Sequence, residues 1–213
     1  MIAVVCPTRD RVQGAIALAK SVRETATKAK VVFYIDEDQR DMYRPLVEEC
    51  PESVFHYGPK IGPVASDNVL AETYREFSVY GVGIDDALFT TPGWDDYLLD
   101  QVNAFPGRIG VVSANHWENP TFVNFAYVSR EWIDTVGWLA FPKLYHRCWD
   151  SVLEMLGEAT NMVYAPRGKF RIEHDPSHAS NMETFHPDCE KFLYFCVIDR
   201  KEIIPRLKEA MKP

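Results

Sequence analysis

The sequence predicts an α/β fold, with a mostly parallel sheet flanked by helices in a single domain. Three observations predict it. Short, continuous apolar runs such as Ile2-Ala3-Val4-Val5-Cys6 and Val31-Val32-Phe33-Tyr34-Ile35 read as strands buried on both faces. Between them lie stretches with apolar residues at helical spacing. Residues 1–60 therefore run strand, helix, strand, helix, strand, the order that places parallel strands in one sheet.

Each element follows from its local pattern. The first strand stops at Pro7. Residues 11–26 place Val12, Ala15, Ile16, Ala19 and Val22 on one helical face. The second strand ends in Asp36-Glu37-Asp38. Residues 39–49 read as a helix and Ser53 to Tyr57 as a third strand. Gly62-Pro63 opens a helix that runs to about Phe77. Ser78 to Ile84 is a fourth strand, with Asp85-Asp86 at its carboxyl end. Pro92-Gly93 marks a turn before a helix from Trp94 to Phe105, and Ile109 to Ser113 is a fifth strand. Residues 120–129 read as a strand, with helices over 130–138 and 146–157. The stretch 166–190, rich in His, Asn, Pro and Ser, reads as a loop. The tail from Lys201 to Lys212 is an amphipathic helix.

Composition narrows the function. At 213 residues and 46% hydrophobic, the chain can bury a core of one domain. The formal net charge of -8 speaks against a protein that grips nucleic acid mainly through phosphates. Lys143, Arg147, Arg167, Lys169 and Arg171 could still form a local basic patch, or simply a solvated face. The five cysteines include no CxxC pair, which suits reduced thiols. No run approaches the roughly 18 apolar residues of a membrane span, and no leader pattern is evident. A cytoplasmic protein is expected.

Ligands of open α/β sheets bind beyond the carboxyl ends of the strands. Three polar clusters fall there: Pro7-Thr8-Arg9-Asp10-Arg11, Asp36-Glu37-Asp38 and Asp85-Asp86. A nucleoside diphosphate needs cations for its phosphates and acceptors for its ribose and base, and these clusters offer both. A carboxylate pair at a strand end also suits Mg²⁺ or Mn²⁺, though an exposed turn with two solvated aspartates has the same appearance. Arg9 and Arg11 fit surface ion pairs as well, Asp36 fits a helix cap, and Asn68 fits a turn buttress. Asn115-His116-Trp117-Glu118 follows the fifth strand. His116 and Trp117 are candidate acceptor contacts, since sugars and bases stack on aromatic faces.

The order of these motifs resembles the GT-A glycosyltransferases, especially the broad family-2-like group and its compact bacterial and phage members. The residues that carry the resemblance are Val4 to Arg11, Val32 to Asp36, Gly62-Pro63-Val64-Ala65-Ser66-Asp67-Asn68, Gly83-Ile84-Asp85-Asp86-Ala87-Leu88-Phe89 and Thr91-Pro92-Gly93-Trp94. They span residues 1–100, and a weaker likeness continues to about residue 175. The resemblance implies a GT-A fold over 1–213. Residues 1–100 would form a nucleotide-sugar-binding half, 101–186 an acceptor and catalytic half, and 187–213 a helical tail.

It also implies residue roles. Pro7, Thr8, Arg9 and Arg11 would wrap the nucleotide, Asp36 would meet base or ribose, Asn68 would lie near the nucleotide, and Asp85 would face ribose or sugar. Asp86 would bind the metal. The chain departs from the family's Asp-x-Asp motif, because Ile84 stands where its first Asp would be. This leaves open which of Asp85 and Asp86 touches metal. Asp150 occupies the place of the family's catalytic base, or is an Asp favoured by a helix start. His174 matches a metal-ligating His of related enzymes, with His178 as the alternative.

The implied reaction moves a sugar, hexose or pentose, from a nucleoside diphosphate sugar, most readily UDP-linked, to an acceptor hydroxyl with inversion. The metal is Mn²⁺ or Mg²⁺. The acceptor is a modified DNA base, a protein or a glycan. Two alternatives stand beside this. A nucleotidyltransferase would show a glycine-rich loop after the first strand, where this chain has Gly only at position 14. A non-catalytic sugar-nucleotide or glycan-binding domain would not need Asp85, Asp86 and Asp150 together.

Overall fold

A computed structural model describes residues 1–116, 123–165, 170–174 and 185–212, the side chains of 114–116, 174 and 185 excepted. The first half winds β1 (Ile2–Thr8), α1 (Val12–Thr25), β2 (Ala29–Asp36), α2 (Arg44–Glu49), β3 (Val54–Gly58), α3 (Pro63–Thr73) and β4 (Val79–Val82). β2 pairs with β1 in parallel, with Val4 opposite Val31, and β3 and β4 extend the parallel sheet on either side. These strands read as unbroken apolar runs because helices cover both faces.

The two faces carry two cores. Ala3 and Val5 point with Val32, Val64, Leu70 and Tyr80 into one. Ile2, Val4 and Cys6 point with Ile16, Ala19, Phe33 and Leu98 into the other. The period-two alternation of β1 is thus hidden, because each face meets its own apolar layer.

After β4 the chain turns through residues 83–86 into β5 (Ala87–Phe89) and α4 (Trp94–Ala104). The second half adds β6 (Val111–His116), β7 (Asn124–Ser129), α5 (Arg130–Val136), α6 (Trp149–Thr160), β8 (Val163–Tyr164), β9 (Arg171–His174), α7 (Phe185–Tyr194) and α8 (Arg200–Ala210). The strand order is β3-β2-β1-β4-β7-β6-β9-β5, with β8 beside β6. β7 runs antiparallel to β4, so the sheet becomes mixed beyond its parallel first half. α5 shows why its ends lie where they do. Ser129 accepts a hydrogen bond from Trp132 N at 3.0 Å as N-cap, and Gly137 closes the helix at φ +94°.

The expected elements stand with shifted ends, the short strands β5 and β8 are additional to them, and two expected regions differ. The helix expected over 39–49 is a 3₁₀ turn (Glu37–Gln39) followed by the short α2. The loop expected over 166–190 contains β9 and the start of α7. β9 gains its strand character from pairing with β5, a contact about 85 residues away that local pattern cannot show. Among the described residues no helix is long and apolar enough to cross a membrane.

Candidate active site

The parallel strands β1, β2 and β4 end on the same sheet edge, so Thr8, Asp36 and the turn after Val82 meet there. Gly83 N donates to Val5 O at 2.7 Å and Ala87 N to Ile84 O at 3.1 Å, which fixes the turn that presents Asp85 and Asp86. Thr8 Oγ1 donates to Asp85 Oδ2 at 2.8 Å. Arg11 Nη1 lies 3.0 Å from Asp85 Oδ1 and 3.0 Å from Asp86 Oδ2. Two adjacent carboxylates thus converge on one cationic nitrogen.

Burial raises the Asp85 carboxyl above its usual pKa, against the pull of Thr8 and Arg11. Partial burial works against the Arg11 charge, yet Asp85 and Asp86 outweigh it and raise its pKa. The Cys6 thiol behind them is pushed well up, first by burial and then by Asp85, Asp67 and Asp86. Three carboxylates therefore act on the end of β1.

A second polar group sits beside the first. Arg9 Nη1 donates to Asp36 Oδ2 at 2.6 Å, and its two terminal nitrogens grip Asp38 at 2.9 and 2.8 Å. The bidentate geometry raises the Arg9 pKa and lowers that of Asp38. Pro7, in register with Tyr34, lies on β1 just before the residues of both groups.

Several supports carry no sequence signature of their own. Tyr43 is fully buried, and its hydroxyl lies 2.8 Å from Thr8 Oγ1 and accepts from Arg11 N at 3.1 Å. Gln39 accepts from Asp10 N at 2.9 Å and returns a hydrogen bond to the Asp10 side chain. Gly14, in the first turns of α1, lies against the Asp85 carbonyl, where a Cβ would overlap the oxygen. A glycine inside a helix costs about 1 kcal/mol against alanine, and that penalty was the signal available for Gly14.

Asp67 is buried to 1% exposure on α3, its Oδ1 has no hydrogen-bond partner among the described residues, and burial raises its pKa well above the carboxylate range. Its neighbour Asn68 does not join the cluster. Asn68 Nδ2 donates to Ala140 O at 2.7 Å, and Oδ1 accepts from Leu139 N and Ala140 N at 2.8 and 3.0 Å. This is the buttress arrangement open to it from sequence.

Asp150 lies in the first turn of α6, where Ser151 N donates to its Oδ1 at 2.8 Å. Burial raises its pKa. Among the described residues its hydrogen bond is to Ser151, not to Asp85 or Asp86. In the preceding loop the pKa of the His146 imidazole is lowered, first by burial and then by Arg147, with a smaller contribution from Arg11. That loop is pinned from below. Fully buried Asp188 of α7 accepts from the main-chain N–H groups of Tyr145, His146 and Arg147 at 2.9, 2.8 and 2.8 Å.

The main chain of His174 pairs with Ala87, one residue from Asp86; its side chain, like that of His116, lies outside the described residues. Trp117 and His178 lie outside them too, as do Arg167 and Lys169 of the basic patch. Lys143 of that patch is paired with Asp199 at 2.8 Å and Arg171 with Glu173 at 3.2 Å. Among the described residues no group of three His, Cys, Asp or Glu side chains is gathered as a metal cage.

No protein-family model and no curated protein matches the chain. Solved structures do. S. aureus TarS superposes with a TM-score of 0.63 over 92% of this chain at 11% identity. Its fragment 1–349 gives 0.64 over 98% at 11% identity, covering 71% of that chain. The same fragment in complex with UDP gives 0.63 over 95% at 11% identity, covering 69% of it. The fold is GT-A. The chain spans 40% of the length of TarS itself. In the GT-A frame the Arg9 and Arg11 groups lie where open α/β sheets place ligands, beyond the strand ends.

Proposed function

We propose that the protein is a glycosyltransferase that moves a sugar from a nucleoside diphosphate sugar, a UDP-sugar first, to an acceptor hydroxyl with inversion. The observation that carries this is the convergence of Asp85 and Asp86 on Arg11 at the carboxyl edge of a GT-A sheet. A neighbour of that fold crystallised with UDP supports the choice of nucleotide.

In this reading Thr8, Arg9 and Asp36 hold the nucleoside, Arg11 meets the diphosphate, and Asp85 faces the donor. Two carboxylate oxygens aimed at one cationic atom are a hard-oxygen setting that suits Mn²⁺ or Mg²⁺. Asp86 would hold the ion, with His174 as partner. When bound, the metal would neutralise charge on the leaving diphosphate. Asp150 accepts the acceptor's proton as its oxygen bonds to the anomeric carbon and the bond to the diphosphate breaks. A carboxyl with a raised pKa suits that proton transfer. The acceptor is a modified, hydroxyl-bearing DNA base, a protein or a glycan, met by His116 and Trp117.

A hydrolysis screen across UDP-hexoses and UDP-pentoses, with Mn²⁺ and with EDTA, tests the reading. Release of UDP from one donor supports it. No release and no thermal shift with any donor rejects it.

A further inference from the structure

Tyr145, in the loop before α6, is 45% exposed, and the chemistry above gives it no task. An exposed aromatic is ordinary, but this one is fixed on three sides. Its N–H donates to Asp188 Oδ1 at 2.9 Å, and its carbonyl accepts from Val64 N at 3.2 Å. One side of its ring lies over Gly62, where a Cβ would come within 2.5 Å of the ring and where φ is +89°. A side chain at 62 would lift the ring, so the glycine is required by both contact and conformation.

Two other tyrosines are already covered by cations. The Arg40 guanidinium lies 3.8 Å from the centre of the Tyr57 ring, and the Lys143 ammonium 5.1 Å from that of Tyr194. No described ring or cation lies over Tyr145. Gly62 and Val64 open α3 just beyond Gly58, the carboxyl end of β3, and Gly58 pairs with Asp36, so the ring lies toward the sheet edge that carries the polar clusters.

We propose that Tyr145 is a stacking platform for a sugar ring at the edge of the active site. This rests on the glycosyltransferase reading. A pyranose presents an apolar C–H face and a rim of hydroxyls. A tyrosine held in one orientation offers a matching apolar face at little cost in side-chain entropy. The nucleobase is the other flat ligand of such a site, and it belongs with Arg9 and Asp36 at the end of β2.

Saturation-transfer NMR on the full chain tests the proposal with two probes, UDP-hexoses for a donor sugar and methyl glycosides in the presence of UDP for an acceptor sugar. Wild type, Tyr145→Ala and Tyr145→Phe are compared, with the UDP Kd measured by calorimetry. In one of the two arms wild type should transfer saturation to the sugar's C–H protons. Tyr145→Ala should lose that signal and raise the KM for the same sugar about tenfold. Tyr145→Phe should restore both, and the UDP Kd should stay within about twofold throughout. Equal sugar signals in wild type and Tyr145→Ala would overturn the proposal while leaving the enzyme reading intact. A rise in UDP Kd that accounts for the whole loss would put the base on the ring, and would also overturn it. Wild type that binds neither UDP nor any glycoside would reject the enzyme reading, and the platform with it.

Discussion

The main chain of Gly14 rests against the carbonyl of Asp85, with no room for a Cβ between them. Helix α1 thereby sets the height of the carboxylate pair above the sheet. Alanine at 14 has two opposed effects. Helix propensity favours it by about 1 kcal/mol, while overlap with a main-chain oxygen costs about 1–3 kcal/mol. Gly14→Ala should therefore be destabilised in urea unfolding and should weaken UDP binding. A variant more stable than wild type would show that the close approach is relaxed at no cost.

Arg11 should matter more through binding than through stability. Its side chain is 36% exposed, so solvent screens much of its pairing with Asp85 and Asp86. Arg11→Ala should raise the UDP Kd about tenfold or more, near 1.4 kcal/mol, with unfolding changed by less. Arg11→Lys should recover part of the binding, because a point charge replaces a forked one. Calorimetry that finds the same Kd in all three proteins would remove Arg11 from the diphosphate site.

Much of this was legible in the sequence, for a physical reason. Parallel strands bring their carboxyl ends to one edge, so locating β1, β2 and β4 was enough to gather Thr8, Arg9, Arg11, Asp36, Asp85 and Asp86. The apolar runs located those strands because both faces of the sheet are covered. Three features were hidden. β5 has three residues and becomes a strand only beside β9. Tyr43 looks like one more apolar helix residue until its hydroxyl is seen between Thr8 and Arg11. Asp188 sits in a polar stretch that reads as loop, yet it is fully buried, because three main-chain amides replace its water.

Asp67 should make the protein less stable as pH rises. Its folded pKa is raised by burial, so between about pH 4, where the unfolded chain loses this proton, and the higher folded value, only the folded state keeps it. More protons in the folded state mean stability that falls with pH. Asp67→Asn removes that slope. Urea unfolding from pH 4 to 8 should show wild type losing stability relative to the variant. Parallel curves would contradict the assignment.

Asp188 should act in the opposite sense. Burial alone would raise its pKa, but the amides of residues 145–147 overcome this and hold it below the usual range. Its contribution is present above about pH 4 and is lost as pH falls through the folded value. Asp188→Ala leaves three partly buried N–H groups without their acceptor, at about 1–3 kcal/mol. It should lower turnover more than UDP affinity, because the loop it holds leads to Asp150. A UDP Kd that worsens as much as kcat would indicate collapse of the whole edge.

The most direct test of the central claim is calorimetric titration of UDP into the wild-type chain, in Mn²⁺ and then in EDTA. A single site that weakens about tenfold or more on chelation is the predicted result. Absence of any UDP binding in either condition would contradict the assignment of Arg11, Asp85 and Asp86 to a nucleotide-sugar site.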